Sequence, residues 1–272
     1  FDSNDYILFF GESQSVWNYN TIDSTYSHQI NLYTDTTYYF LNFNNSQGKR
    51  IQLNQVPLDS ANIAVNSYDA CYFHELEERN IKNTGRQWFG EYFSLNSSYE
   101  FPFYINNIDF SDPIRVKVRA VAHSTVPTSY DVFLNSSTYV GGIPISAVSG
   151  SSTADYVKDG ILSTSFLPIS NNIDITVNYN NAGNSSALGW LDYIELVARR
   201  SLIMDENQKL IMDQYSVGTN NVTQFILENA EDVFQIWDVT NSTDVKEVEG
   251  NLSGSSLQFS VKTDSLRKFI AF

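Results

Sequence analysis

Cys71 and His74 are the residues whose types suit nucleophilic catalysis, because a thiolate forms at neutral pH beside a base. Their spacing opposes that use. Positions three apart on a strand face opposite sides, and a short helix would align them one turn apart with no oxyanion donors indicated. Cys71 therefore reads as a small buried hydrophobe and His74 as a surface residue. The run His74-Glu75-Leu76-Glu77-Glu78 begins like a zinc-protease helix, yet Glu78 stands where the second histidine is required. His28, His74 and His123 are far apart in sequence and cysteine occurs once, so a transition-metal site finds no support. Asp109, Asp112, Asp155, Asp159, Glu231 and Asp232 occupy loop-like stretches, where calcium finds oxygen ligands, but they follow no EF-hand spacing. They read first as solvated acids. No cofactor is expected, and loop calcium is the one left open.

Glycosidase chemistry needs two carboxylates roughly 5 to 9 Å apart across a cleft. Acids are plentiful here and none is marked. There is no Gly-x-Ser-x-Gly elbow and no glycine-rich phosphate loop. Trp17, Tyr19, Tyr26, Tyr139 and Tyr156 fall at loop or strand-edge positions and are candidates for stacking on a glycan or a partner, with ordinary packing as the competing reading. Trp190 and Trp237 lie inside alternating strands and read as core.

One short stretch combines several unusual features. Gly85-Arg86-Gln87-Trp88-Phe89-Gly90-Glu91 sets two large aromatics and an opposed charge pair between glycines. The glycines permit backbone angles closed to other residues, Trp88 and Phe89 supply apolar surface to fix the turn, and Arg86 with Glu91 is expected to clamp it. The expected role is structural.

These residues must be positioned by strands. Aromatics form 14% of the 272 residues, with 17 Tyr and 18 Phe, an excess that favours strands over helices. Alternation of apolar and polar residues dominates, and helical periodicity over three turns is missing. Strands are expected over 5–10, within 26–43, and at 49–53. A helix of about two turns is expected between Phe73 and Lys82. Eight strands follow: 99–104, 114–122, 130–134, 138–140, 143–148, 161–166, 173–179 and 188–197, the count of a jelly roll. In the last, Leu191, Tyr193, Glu195 and Val197 are expected on one face and Trp190, Asp192, Ile194 and Leu196 on the other. Its Leu-Asp-Tyr-Ile-Glu-Leu segment resembles the closing strand of galactose-binding-like and carbohydrate-binding sandwiches. Six further strands between 209 and 272 suggest a second sandwich. The reading is all-β: an amino-terminal β region, 1–84; a jelly roll, 85–201; and a β-sandwich region, 202–272, completed in one reading by strands from 1–84.

A net charge of −15 and a pI near 4.4 exclude nucleic acid, whose phosphates need clustered Lys and Arg, and disfavour anionic membranes. No apolar run reaches the roughly 18 residues of a membrane span. The single cysteine excludes an internal disulfide framework. Phe1 carries no leader, and Phe272 closes a strand-like run, so the chain is expected to be a piece of a longer protein that continues past Phe272.

Several segments in order carry a family resemblance: Asp5 to Glu12, Tyr33 to Leu41, Gly48-Lys49-Arg50-Ile51, Gly85 to Glu91, Trp190 to Leu196, Val233 to Thr240, and Leu266 to Phe272. Together they resemble the non-catalytic amino-terminal region of the gingipain-related (peptidase family C25) sortases of the bacterial type IX secretion system. The resemblance implies an exported protein at the outer membrane or cell surface. It also implies a downstream cysteine peptidase domain that cleaves carboxy-terminal secretion signals and attaches cargo to lipopolysaccharide. The implied partners are that domain, outer-membrane proteins of the secretion system, and cargo signal domains. This fragment itself is expected to be a scaffold or docking module without peptidase activity. The alternative is a carbohydrate-binding module for a cell-surface glycan.

Overall fold

The computed structural model describes residues 7–40, 42, 48–81, 87–149 and 155–272. Strands β1 (Val16–Asn20), β2 (Thr25–Gln29), β3 (Gln52–Leu53), β4 (Ile63–Val65) and β5 (Ser67–Glu75) come first. Then follow β6 (Tyr92–Phe93), β7 (Ser98–Tyr104), β8 (Ile114–His123), β9 (Thr128–Leu134) and β10 (Thr138–Ile145). After them come β11 (Lys158–Phe166), β12 (Asn172–Asn180), β13 (Leu188–Ser201), β14 (Lys209–Met212) and β15 (Val222–Leu227). The chain closes with β16 (Ile236–Asp238), β17 (Lys246–Val248), β18 (Asn251–Ser253), β19 (Ser256–Lys262) and β20 (Lys268–Ala271). Gln214–Ser216 is the single helical turn among the described residues, of 3-10 type, so no described helix could cross a membrane.

Two compact units form, Phe1–Ala70 with Ser201–Phe272, and Cys71–Arg200. In the second, the sheet β10-β9-β12-β7 faces the sheet β11-β8-β13-β5, with β6 also on β13, giving a jelly-roll sandwich. Its core comes from strict alternation. Val116, Val118 and Ala120 of β8, Tyr130 and Val132 of β9, Ile173, Ile175 and Val177 of β12, and Ile194 and Leu196 of β13 all point into one apolar cluster. Each such fully buried side chain contributes roughly 1.5 to 3 kcal/mol by leaving water. The sequence reading puts the entry to this unit at Gly85. The chain enters it at Cys71 instead, inside β5, because that strand runs unbroken to Glu75 and lies beside β13.

The first unit pairs the sheet β14-β20-β16-β17-β3 with β18-β19-β15-β4. Its centre is a ring triad: Phe225 stacks on Phe259 at 5.0 Å, and Phe269 meets each edge-on at 5.2 Å. β3 joins β17 and β4 joins β15, both in parallel, so short pieces of residues 1–70 complete sheets built by 201–272. Asp69, buried, ties down the β1–β2 hairpin. Tyr26 Oη donates to its Oδ2 at 2.9 Å, the Gln214 amide N–H donates to the same atom at 2.7 Å, and Gln214 Nε2 donates to Oδ1 at 3.2 Å. Tyr26 is therefore a buried anchor and is no exposed stacking platform.

Three sequence expectations are corrected. The helix between Phe73 and Lys82 does not form over its described residues: Phe73, His74 and Glu75 finish β5, where alternate residues face the core. Ile7–Phe10 and most of residues 30–40 are irregular, while 16–20, where no strand is expected beyond a loop or strand-edge place for Trp17 and Tyr19, is β1; residues 5 and 6 lie outside the described part. In β13 the pairing with β8 slips between Leu191 and Tyr193, a β-bulge at Asp192. The slip inverts the faces. Leu191, Ile194 and Leu196 point into the core, while Tyr193, Glu195 and Val197 lie outside with Trp190, so one extra residue splits the expected run.

Candidate functional site

The bulge puts both acids of β13 on the outer surface of the five-stranded sheet, facing the cations of β8. On β8, core residues alternate with Arg115, Lys117, Arg119 and Val121 on the outside. A row of charge therefore crosses four strands. Asp159 of β11 lies 3.0 Å from Arg119 Nη2, and Arg119 Nη1 lies 2.5 Å from Asp192 Oδ2. Glu75 at the end of β5 lies within electrostatic reach of Asp192, and Glu77 hydrogen-bonds Glu75.

One guanidinium serves two carboxyls here, Asp159 and Asp192, and the neighbouring acids respond. Burial raises Asp192 to about 6 against the opposing pull of Arg119, with Glu75 adding to the rise. Glu77 is raised to about 7 by burial, by the hydrogen bond and charge of Glu75, and by Asp192. Farther along, Lys117 Nζ lies 3.3 Å from Glu195 Oε2 and 5.4 Å from the Tyr193 ring centre. This row can hold a proton near neutrality.

Beside the row opens a cleft of about 320 Å³, lined by Ile81, Gln87, Phe89, Arg119, Val121, and residues 155–159. Its floor is a second apolar cluster in which Phe89, Val121 and Trp190 are buried, with Ile81 and Val157 packed against them. Phe89 is fixed by backbone hydrogen bonds exchanged with Arg79. The rim is polar: Lys158 Nζ pairs with Asp155 Oδ2 at 2.8 Å, and Arg119 with Asp159.

The residues singled out by sequence scatter. Tyr156 lines the cleft, its ring stacked on His123 at 4.2 Å while His123 Nδ1 donates to the Tyr156 carbonyl at 2.6 Å. Trp17 and Tyr19 sit on the β1–β2 hairpin, paired with His28 and Tyr26 at 5.6 and 4.9 Å. Tyr139 is exposed on the edge strand β10 and leans on Phe133. Trp190 is buried against Tyr92, and Trp237 is buried with Nε1–H donating to Gln235. Trp88 is half-buried. Gly85 and Arg86 lie outside the described residues.

Glu91 is held by His74, whose Nε2 donates to Oε1 at 2.7 Å, while the ring packs 4.7 Å from Phe101. His74 is thus half-buried, its ring against Phe101, and is no freely exposed residue. Cys71 and His74, at odd spacing on β5, face opposite sides of the sheet. Among the described residues no cluster of His, Cys, Asp and Glu has the arrangement of a metal centre.

Sequence reasoning missed Arg119, Gln87 and Glu77. The signal for Arg119 was present in the Arg-x-Lys-x-Arg alternation of β8, which sets three cations on one face.

Among solved structures, the chain matches dimeric latent PorU from Porphyromonas gingivalis with a TM-score of 0.78 at 17% sequence identity, over 97% of this chain and 26% of that one. It therefore spans about a quarter of the length of the protein it matches. The carbohydrate-binding module CBM36, in complex with calcium and xylotriose, matches 46% of this chain and 87% of its own at 13% identity, with a TM-score of 0.30. At that score it carries no argument. No family model matches the chain, and no curated protein matches it in sequence. The likeness to PorU shows the fold alone, a PorU-like β-sandwich fold.

Proposed function

We propose that this chain is the non-catalytic β-sandwich region of a gingipain-related sortase of the type IX secretion system, acting as a scaffold or docking module. The observation that carries the reading is the match of 97% of the chain to about a quarter of latent PorU. The ordered motif segments, from Gly48-Lys49-Arg50-Ile51 to Leu266 through Phe272, support the same assignment from sequence. In this reading the whole protein is exported to the cell surface. A cysteine peptidase domain follows Phe272, cleaves secretion signals and anchors cargo to lipopolysaccharide.

The fragment itself has no peptidase activity in this proposal. Cys71 and His74 face opposite sides of β5, and His74 is engaged by Glu91, so His74 is not placed to serve as the base for this thiol. Its partners are the peptidase domain, outer-membrane components of the secretion system, or the signal domains of cargo.

The coding sequence downstream of Phe272 tests the assignment: a gingipain-like domain is expected, and its absence would overturn the reading. The isolated chain should leave a signal-domain peptide intact. Cleavage abolished by Cys71→Ser would assign catalysis to this fragment and refute the scaffold role.

A further inference from the structure

The sheet β10-β9-β12-β7, on the other side of the jelly roll from the charged row, is built without cations. Its strands and the turns at their ends, residues 94–113, 124–149 and 167–187, contain no Lys, Arg or His. The described cations of the unit are engaged elsewhere: Arg115, Lys117 and Arg119 stand on the opposite sheet, Lys158 pairs with Asp155, and Arg79 lies over the Tyr92 ring. Arg199 and Arg200 are buried, and Arg200 Nε donates to the Asn106 carbonyl. Residues 82–86 and 150–154 are flanked by Ile81, Gln87 and Asp155, all of which line the cleft on the opposite sheet.

Alternation decides what the face presents. Phe101 of β7, Val132 of β9, and Ile175 and Val177 of β12 point into the core, so Glu100, Asp131, Asp174, Thr176 and Asn178 point outward. Register sets Tyr139, Phe133, Thr176 and Glu100 in one cross-strand row, with Asp131 opposite Asn178 in the next. Glu100 is exposed and Asp131 and Asp174 are half-buried, so each is within reach of solvent. Glu100 accepts from Ser136 Oγ at 3.3 Å, and none of the three acids forms an ion pair among the described residues. Strand geometry spaces the three roughly 8 to 14 Å apart. That is too far for them to share one ion.

Hydrogen bonding points the same way, independently of charge. Thr176 is 8% exposed, and its Oγ1 is buried with no hydrogen-bond partner among the described residues, as is Asn178 Oδ1. Unmatched acceptors of this kind carry an uncompensated desolvation cost. The face is short of donors. Both atoms are covered in the free chain, so first contact falls to the three carboxylates and to Tyr139, which is 57% exposed. Tyr139 and Phe133, with ring centres 5.6 Å apart, bound the row opposite Glu100 and supply the aromatic surface on which a guanidinium stacks.

We infer that this face docks a basic, extended polypeptide segment of a partner, its Arg or Lys side chains meeting Glu100, Asp131 and Asp174 singly and its N–H donors turned toward Thr176. Side chains two and four residues apart on an extended strand, roughly 7 and 14 Å, span the intervals between the carboxylates. A compact metal ion cannot bridge them. The inference gives the docking role a class of partner, yet it uses the jelly roll alone and does not depend on the sortase reading.

The probe is a fluorescein-labelled octapeptide of alternating Arg and Thr, titrated with the intact chain and read by anisotropy, with an octapeptide of alternating Glu and Thr as its counterpart. Saturable binding of the basic peptide alone is expected, weakening about tenfold between about 50 and 300 mM salt as exposed charges are screened. Glu100→Gln, Asp131→Asn and Asp174→Asn combined should weaken it about tenfold. Glu231→Gln, Asp232→Asn and Glu249→Gln remove the same charge from exposed positions of the other unit and should change it by less than about twofold. Thr176→Val keeps the side-chain shape and should weaken binding about threefold without lowering the melting temperature, since no internal bond is lost. Absence of saturable binding would overturn the inference. Equal weakening by the two triple variants would also do so, leaving the chain's general acidity as the cause. Displacement of the peptide by calcium chloride, or by neutral sugars, at about 10 mM would assign the face to a metal ion or a glycan instead.

Discussion

His74 donates from Nε2 to Glu91 Oε1 at 2.7 Å, and this contact fastens the Gly90-Glu91 segment to strand β5. The second oxygen, Oε2, is buried with no hydrogen-bond partner among the described residues. Removing the histidine therefore leaves a buried carboxylate without its donor, which is costlier than the loss of one exposed bond. His74→Ala should destabilise the jelly-roll unit by about 2 to 3 kcal/mol, read by urea unfolding. Glu91→Gln keeps the shape and should cost less. A double-mutant cycle with a coupling near zero would show that the pair only touches.

The buried Asp69 gives a second test, confined to the other unit. Its carboxylate accepts from Tyr26 Oη, from the Gln214 backbone and from the Gln214 side chain. Tyr26→Phe removes one of these donors and should cost about 1 to 2 kcal/mol. Asp69→Ala removes the acceptor of all these bonds and should cost roughly 3 kcal/mol or more. The β1–β2 hairpin should then lose hydrogen-exchange protection before the β15–β19 pair does. Equal loss in both would contradict a role for Asp69 as the hairpin's anchor.

Stability should fall with rising pH across neutrality. Asp192 and Glu77 bind protons more tightly folded than unfolded, at about 6 and about 7 against ordinary values of 3.8 and 4.5. Their contribution is complete below about pH 4 and is lost as pH climbs through 6 to 7. The groups named as acting on them are Glu75, Arg119 and Asp159, so ionising both acids sets Glu77 against Glu75 and Asp192, and Asp192 against Glu75 and Asp159, with Arg119 as the opposing cation at Asp192. The melting temperature of the jelly-roll unit should drop by several degrees between pH 5 and pH 8. Glu77→Gln, which retains an amide donor towards Glu75, should flatten that slope. A melting temperature that rises over the interval would show that other groups dominate.

How far the residues alone disclose this arrangement differs along the chain. Tyr99, Phe101 and Phe103 of β7, and Val116, Val118 and Ala120 of β8, show their inward faces through a period of two, and both strands are legible to within two residues. β4 is not, because a three-residue strand exists only through its parallel partner β15 far along the chain, and of the strand expected at 49–53 only Gln52–Leu53 forms, on β17. Nor does composition mark the bulge at Asp192. It sits in an unbroken run of strand formers, and it reverses which side each later residue faces. The cleft draws on three separated parts of the chain, near Ile81 to Phe89, at Arg119 and Val121, and at 155–159. Loop acids were visible in the sequence, but their convergence depends on β11 pairing with β8.

Gly189 shows how tightly that convergence is packed. It lies on the core face of β13, and a Cβ placed there would stand 2.2 Å from Tyr130 Oη and 3.1 Å from its Cζ. Tyr130 cannot simply retreat, because it is fully buried and its hydroxyl donates to the Val121 carbonyl at 2.7 Å. Gly189→Ala should therefore cost about 2 to 3 kcal/mol through overpacking, measured by denaturant unfolding. Tyr130→Phe alone should cost about 1 kcal/mol for the lost hydrogen bond. Combined, the two changes should cost less than their sum, because the phenylalanine removes the atom that the new methyl would strike. A strictly additive pair would show that the alanine is resisted by the backbone of β13, and that Tyr130 is not what requires a glycine here.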